Sequence, residues 1–155
     1  MKKKIAILTG STGDIGCSIL KTLTKNNFKI IATYNNKNKL NRIVNLKNVY
    51  PYKLDLSDIN EIEDFIKIVK AKFPKIDAII NNAGVLIEKK IENINPLEWD
   101  YLMNVNLKAP FFLIKNLKKR LKLGSSIVNI SSVGGQIGGT KSIHYAASKA
   151  GLNSL

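Results

Sequence analysis

The chain has 155 residues, enough for one domain with a hydrophobic core. Its formal charge of +14 invites a nucleic-acid hypothesis, but nearly all its basic residues are lysines and no aromatic residues alternate with them. A single cysteine excludes an internal disulfide and no apolar run approaches the length of a membrane span, so we expect a soluble, cytoplasmic protein that binds neither nucleic acid nor membrane.

The first predicted strand, residues 4–8, leads into a glycine-rich stretch. Residues 9–16 read Thr-Gly-Ser-Thr-Gly-Asp-Ile-Gly and open a helix whose apolar residues recur at helical spacing. The backbone N–H groups at such a helix start, together with the helix dipole, favour phosphate binding. The alternative is an ordinary tight connection between a strand and a helix.

The pattern of a strand followed by a helix repeats along the chain. Further strands are predicted at residues 28–33, 49–54, 76–80 and 126–130, with helices at 39–46, from 57, from 96, and at 107–124. This alternation is typical of βαβ units, so we expect an α/β fold with a doubly wound parallel sheet covered by helices on both faces. In such a sheet the carboxyl ends of the strands share one edge, where a nucleotide binds.

Polar residues and glycines follow the predicted strands at this edge. They are residues 9–16, Asn35, Asp55, residues 81–84 and Ser132. Their coincidence at one edge favours a nucleotide site over unrelated turns.

The end of the chain carries candidate chemistry. Tyr145 and Lys149 are four residues apart, so on a helix they share one face. A tyrosine phenol has a pKa of about 10. A fixed ammonium beside it favours the phenolate, which improves proton transfer at neutral pH. Ser132, after the fifth strand, would hydrogen-bond the substrate oxygen that Tyr145 protonates. The alternative is a helix with an exposed lysine.

In combination these motifs resemble the short-chain dehydrogenase/reductase family, and within it most closely the 3-oxoacyl-carrier-protein reductases. The resemblance runs from Ile5 to Leu155 and includes Asn106 in the stretch Asn-Val-Asn-Leu. It implies a Rossmann-type fold and hydride transfer between a nicotinamide cofactor, NADP or NAD, and a carbonyl or secondary alcohol. A 3-oxoacyl thioester linked to acyl carrier protein is one such substrate. No metal site is implied.

The resemblance also assigns residue roles. Tyr145 would be the general acid/base and Ser132 would orient the carbonyl. Lys149 would favour the phenolate and bind the nicotinamide ribose, and Asn106 would hold a water that links Lys149 to solvent. The implied cofactor-binding residues are Thr9, Gly10, Ser11, Thr12, Gly13, Ile15, Gly16, Asn35, Asp55, Leu56, Asn82, Ala83, Gly84, Tyr145 and Lys149.

Two further expectations concern the cofactor and the assembly. The second strand ends near Asn35, without the acid that would bond a ribose 2′-hydroxyl, and Lys37 and Lys39 follow it. We therefore expect a preference for NADP. The resemblance implies a homo-oligomer for a complete protein, because residues 107–121 correspond to a helix that packs between subunits in relatives.

Two departures from the family pattern stand against this interpretation. Asp14 occupies the place of a glycine that lets the backbone approach the pyrophosphate, so its carboxylate either repels the phosphates or turns away and caps the helix. In addition, residues 1–155 would form a single dinucleotide-binding domain that lacks C-terminal strands, with the fifth strand at an open edge. We therefore expect the isolated polypeptide to be inactive.

A catalytically inactive, truncated nucleotide-binding remnant is the alternative to an active reductase. His144, beside Tyr145, is expected to be a loop residue without a chemical role.

Overall fold

The computed structural model describes residues 3–139 and 141–155, and its centre is a five-stranded sheet. The strands are β1 (Ile5–Leu8), β2 (Lys29–Tyr34), β3 (Val49–Lys53), β4 (Ile76–Asn81) and β5 (Leu121–Asn129). They lie in the order β3-β2-β1-β4-β5, and every neighbouring pair is parallel. The carboxyl ends of all the strands therefore meet at one edge.

Helices connect the strands. They are α1 (Asp14–Lys25), α2 (Ile59–Lys72), α3 (Pro96–Met103), α4 (Ala109–Leu117), α5 (Gly134–Ile137) and α6 (Ile143–Ser154). At the start of α2 the Asp58 side chain accepts a hydrogen bond from the Asn60 N–H, and Asn95 and Glu98 form a capping box at α3. Within the part of the chain that the structure describes, no helix has the length and apolar character needed to cross a bilayer.

Two separate cores hold the helices against the sheet. On one face, Phe65 of α2 and Leu113 of α4 pack with Ile7 and Ile79. On the other face, Leu20 of α1 packs with Leu8. Because consecutive residues of a strand point to opposite faces, Ile7 and Leu8 contribute to different cores. Helices thus cover both faces, and the predicted α/β doubly wound sheet is confirmed.

The predicted boundary between the helix at 107–124 and the strand at 126–130 is wrong. Helix α4 ends at Leu117, one 3₁₀ turn follows at Lys118–Arg120, and β5 begins at Leu121. Leu121 lies opposite Ile76 of β4, so the chain enters the sheet earlier than predicted instead of continuing the helix. Three extra residues then bulge out of β5, because Leu121 pairs with Ile76 whereas Ser126 pairs with Ala78.

The predicted helix at 39–46 is a shorter 3₁₀ helix, Lys37–Arg42. The Asn36 side chain accepts a hydrogen bond from the Asn38 N–H and so fixes its start. Ile43, fully buried, follows it directly. This two-turn helix is enough to bring the Ile43 side chain into the core, so the chain returns to β3 without a regular α-helix.

Candidate functional site

The glycine-rich stretch forms the turn between β1 and α1 at the carboxyl edge of the sheet. Its main chain is bound to both neighbouring strands. The Thr9 N–H donates to the Ile80 carbonyl at 3.0 Å, and the Ser11 N–H and hydroxyl both donate to the Thr33 carbonyl at 2.9 Å. These hydrogen bonds hold the turn against both neighbouring strands.

Two glycines make this shape possible. Gly10 has a φ of +63°, and a Cβ placed there would lie 2.8 Å from the Ala83 Cα. A Cβ on Gly16 would lie 2.2 Å from the Gly10 carbonyl oxygen. Both distances are shorter than real Cβ contacts, so a side chain at either position would displace the turn.

The loop after β4 is joined to the same turn. The Asn82 Nδ2 donates to the carbonyls of Thr9 and Gly10, at 2.9 and 3.1 Å. The main-chain N–H groups of Asn82 and Ala83 both donate to the Thr9 hydroxyl at 3.0 Å. The amide of Asn82 is therefore committed to holding the turn, and the two segments form one unit.

An open cavity of about 480 Å³ lies over this unit, within the range of small-molecule sites. The predicted cofactor-binding residues that line it are Gly10, Thr12, Gly13, Ile15, Gly16, Asn35, Asp55, Leu56, Asn82, Ala83 and Gly84. Thr9 and Ser11 do not line the cavity. They are 2% and 0% exposed and lie beneath it, where their hydrogen bonds support the turn.

Several lining residues were not assigned from the sequence. Among them are Asn36, Val85, Tyr101 and Val105. Asn36 immediately follows Asn35 after the end of β2, so its position beside a strand end could have predicted that it lines the cavity. Tyr101 and Val105 come from the segment after β4 that folds back over the cavity, and no local pattern marks such a return.

Asp55 lies in the cavity wall, where hydrogen bonds stabilise its carboxylate in the charged form. Burial alone would raise its pKa, but hydrogen bonds from Ser57 and from Asn35 outweigh this effect and hold the pKa of Asp55 below its ordinary value. The Ser57 N–H and hydroxyl donate to Asp55 Oδ1 at 2.9 and 2.7 Å. Asp55 therefore presents an anionic hydrogen-bond acceptor at neutral pH.

Asp14 does not cap α1, so that expectation is wrong. The N-cap position is Gly13, and no side chain caps it. Instead, Arg42 Nη2 donates to Asp14 Oδ1 at 2.8 Å, and Arg42 Nη1 donates to the Thr12 carbonyl at 2.8 Å. The hydrogen bond from Arg42 lowers the pKa of Asp14 below 3.8, its ordinary value. The Asp14 carboxylate therefore stays charged, and the Arg42 guanidinium is its counter-ion.

Helix α6 brings Tyr145 and Lys149 together, as their spacing predicts. The Lys149 Nζ lies 5.7 Å from the centroid of the Tyr145 ring. Lys149 is only 3% exposed, which rules out the alternative of a surface lysine, and its Nζ donates to the Ile130 carbonyl at 2.8 Å. Burial lowers the pKa of Lys149 below 10.5, its ordinary value.

The segment that carries Ser132 lies against the same helix. The Ser132 hydroxyl oxygen accepts a hydrogen bond from the Gly134 N–H at 3.2 Å. A Cβ on Gly135 would lie 2.7 Å from the Lys149 carbonyl carbon, so α5 packs directly on the backbone of α6. This close packing keeps Ser132 on the segment next to Tyr145 and Lys149.

Asn106 joins α6 to the loop after β4. It lies in a π-helical turn, Asn104–Lys108, a distortion that is frequent at functional sites. Its Oδ1 accepts from the Val85 N–H at 2.8 Å, and its Nδ2 donates to the Val85 carbonyl and the Ser148 hydroxyl at 2.9 and 3.1 Å. The Ser148 hydroxyl in turn donates to the Tyr145 carbonyl at 2.7 Å.

Gly84 connects the cavity to these groups. It lines the cavity, and a Cβ placed on it would lie 3.3 Å from the Lys149 Nζ and 3.4 Å from the Asn106 Oδ1. The ammonium and the amide therefore lie directly against one end of the cavity. None of the four predicted catalytic residues lines the cavity itself.

His144 is not a loop residue, because it lies in the first turn of α6 and is fully buried. Among the described residues, neither of its ring nitrogens has a hydrogen-bond partner.

Comparison with known proteins identifies a family. A family model described as short chain dehydrogenase matches residues 4–155. The chain is 35% identical to the 3-oxoacyl-[acyl-carrier-protein] reductase FabG of Buchnera aphidicola subsp. Baizongia pistaciae, over 97% of this chain and 63% of the relative. It is 30% identical to the same-named protein of Thermotoga maritima, over 98% of this chain and 65% of the relative. The chain thus spans just under two thirds of the length of these curated relatives.

Solved structures share the fold. The crystal structure of a metagenomic short-chain oxidoreductase in complex with NADP matches with a TM-score of 0.86 and 31% identity, over 97% of this chain and 72% of that one. A blue fluorescent protein from a metagenomic library, in complex with NADPH, matches with a TM-score of 0.90 at 24% identity, over 97% of this chain and 65% of that one. The fold and the match along nearly the whole sequence agree, and the chain belongs to the short-chain dehydrogenase family.

Proposed function

We propose that this chain is the nucleotide-binding and catalytic part of an NAD(P)-dependent oxidoreductase that acts on a carbonyl or secondary alcohol. The observation that carries the proposal is the contact at Gly84, which lines the cavity and lies against Lys149 and Asn106. A nucleotide cavity and a set of proton-transfer groups meet at that residue.

The residues that line the cavity have the chemistry that a dinucleotide requires. The first turn of α1 leaves N–H groups without intrahelical partners, and these groups together with the helix dipole favour a pyrophosphate. Asp55 and Asn35 lie further along the cavity wall and would contact the adenosine. The residues from Asn82 to Gly84 would line the path towards Lys149.

NADP is the cofactor we propose. Lys39 lines the cavity close to Asn35, and the end of β2 offers no carboxylate to a ribose hydroxyl. A 2′-phosphate would thus meet positive charge without competition from an acid. The structural relative at 31% identity was crystallised with NADP, which supports the same choice.

The chemistry divides between the cofactor and the protein. A bound nicotinamide cofactor supplies or accepts the hydride. Tyr145 donates a proton to the carbonyl oxygen during reduction and takes it back during oxidation, while Ser132 donates a hydrogen bond to the same oxygen. Lys149 lies beside the Tyr145 ring, and its positive charge favours the phenolate.

Asn106 serves proton resupply in this proposal. Its Oδ1 accepts one hydrogen bond from the Val85 N–H and keeps a second lone pair. That lone pair would hold a water near Lys149 and so connect the buried ammonium with solvent.

The substrate we propose is a 3-oxoacyl thioester carried by acyl carrier protein. Support comes from the Buchnera and Thermotoga relatives, both of which are described as 3-oxoacyl-[acyl-carrier-protein] reductases. We further propose that residues 1–155 form one dinucleotide-binding domain, and that the complete protein is a homo-oligomer.

The first test is Tyr145→Phe in the natural protein that carries this chain. The substitution removes the proton donor and keeps the ring, so turnover should fall by about 10² to 10⁴ while NADPH affinity changes little. Turnover is measured as NADPH oxidation with an acetoacetyl thioester.

Tyr50→Phe is the matched control, because Tyr50 is exposed on β3 and should tolerate the loss of its hydroxyl. Near-normal kcat in Tyr145→Phe would refute its catalytic role. Normal NADPH binding without any turnover in the unmodified protein would favour the inactive nucleotide-binding remnant instead.

The second test concerns cofactor choice. NADPH should bind more tightly than NADH, and Lys39→Ala should weaken NADPH roughly tenfold while leaving NADH nearly unchanged, because a charge-assisted contact to the 2′-phosphate is lost. Both dissociation constants are measured by titration calorimetry, with Lys47→Ala as a control for net charge. Tighter binding of NADH than of NADPH to the unmodified protein would contradict the proposal.

The third test uses the pH dependence of stability. Because burial lowers the pKa of Lys149 below 10.5, the unfolded chain binds more protons than the folded chain between that lowered pKa and 10.5. Lys149 therefore costs stability at lower pH, and the cost disappears as the pH rises through this window. Relative to Lys149→Met, the unmodified protein should gain stability as the pH rises through this window towards 10.5.

The measurement is urea unfolding at a series of pH values, with exposed Lys47→Met as the control. An identical pH dependence for Lys149→Met and the unmodified protein would show that burial of Lys149 carries no such cost.

A further inference from the structure

We propose that Arg42 is a positioning residue for cofactor binding, which neutralises and holds the Asp14 carboxylate so that the glycine-rich turn can accept the anionic part of a nucleotide. This inference rests on the proposed function. It assigns a role to an arginine that lies outside the family motifs.

Asp14 creates the need for such a residue. It is the first residue of α1, it lines the cavity, and its side chain is 94% exposed. A phosphate bound at the start of α1 would therefore lie near a carboxylate. Like charges repel, and a free carboxylate would also compete for the same N–H groups.

Arg42 meets this need through two fixed contacts. Its Nη2 donates to Asp14 Oδ1 and its Nη1 donates to the Thr12 carbonyl, each at 2.8 Å. The guanidinium thus binds the carboxylate and the backbone of the turn at once, which a single-point lysine charge would not reproduce. Arg42 lies 28 residues from Asp14 in sequence, so only the folded chain brings them together.

Protonation of Asp14 does not remove the repulsion. The hydrogen bond from Arg42 lowers the pKa of Asp14, so the carboxylate remains charged at neutral pH. The charge is balanced by its partner instead. Arg42 is not among the cavity-lining residues, whereas Asp14 and Lys39 are. This arrangement favours an action of Arg42 through Asp14 over direct contact with the nucleotide.

A purely structural role for the pair is the main competing explanation. The pair is exposed, with 37% of the Arg42 side chain and 94% of the Asp14 side chain accessible to solvent. Exposed ion pairs contribute little to folding stability. Loss of Arg42 should therefore change the melting temperature little, and a large effect on nucleotide affinity would have a different origin.

The experiment is a double-mutant cycle on nucleotide affinity, with Arg42→Ala, Asp14→Asn and the double variant in the natural protein. Dissociation constants for NADPH and NADH are measured by calorimetry and melting temperatures by calorimetric scans. Lys47→Ala, an exposed lysine on the same connection between β2 and β3, controls for the loss of one positive charge. Arg42→Lys tests whether charge alone is sufficient.

We expect Arg42→Ala to weaken NADPH and NADH by similar factors of roughly fivefold to tenfold, with little change in melting temperature. In the Asp14→Asn background the same substitution should have almost no effect, because no carboxylate remains to be neutralised. Arg42→Lys should restore only part of the affinity, and Lys47→Ala should match the unmodified protein.

Three results would overturn the inference. Equal effects of Arg42→Ala with and without Asp14 would show that the two residues do not act together. A loss confined to NADPH would assign Arg42 to direct contact with the 2′-phosphate. A fall in the melting temperature of Arg42→Ala that is large enough to explain its loss of affinity would show that the Arg42–Asp14 pair has a structural role. Failure of the unmodified protein to bind either nucleotide would instead refute the proposed function itself.

Discussion

The close approach between the glycine-rich turn and the loop after β4 is the contact on which the site depends. Gly10 leaves no room for a side chain against Ala83, and the Asn82 side-chain amide donates to the carbonyls of both Thr9 and Gly10. The turn is bonded on its other side to Thr33 at the end of β2. The ends of three strands are therefore held together by close packing and by backbone and side-chain hydrogen bonds, which form the base of the cavity.

The loop after β4 also connects the glycine-rich turn to α6, the helix that holds Tyr145 and Lys149. Gly84 and Val85 follow Ala83 directly, and Asn106 binds both main-chain polar groups of Val85. Asn106 also reaches Ser148, so one buried amide links the cavity wall to the helix of Tyr145 and Lys149. Positions within such a network are set by several contacts at once, which is what pre-organised chemistry requires.

Charge is handled differently at the two ends of the site. Lys149 is buried with one carbonyl partner, an arrangement that costs folding stability and that a purely structural residue would avoid. Asp14 lies at the exposed end, where Arg42 supplies its counter-charge. The buried ammonium of Lys149 and the carboxylate of Asp14 at the start of α1 are each unfavourable in isolation. Both are consistent with a nucleotide site that lies between them.

Local patterns in the sequence were sufficient for the existence of the five strands, for the glycine-rich turn and for the pairing of Tyr145 with Lys149, but not for the start of β5. Each of these depends on residues that are neighbours along the chain. The bulge in β5 and the π-helical turn at Asn106 depend on register and packing with distant segments, so no local pattern predicts them. The contact between Arg42 and Asp14 is equally tertiary, although the rarity of arginine in a lysine-rich chain was a signal. The burial of His144 is also tertiary: its position next to Tyr145 in the sequence does not predict that its ring is enclosed, without a hydrogen-bond partner among residues 3–139 and 141–155.

Hydrogen exchange, followed by mass spectrometry with and without NADPH, would show whether one nucleotide contacts both the glycine-rich turn and α6. We predict slower exchange of backbone amides in the turn at residues 9–16, in the loop at residues 81–85 and in α6, with no change in α2. Protection of all three segments by one ligand would support a cofactor that extends from the turn to α6. No protection by NADPH, or protection confined to segments away from this edge of the sheet, would rule out such a binding mode.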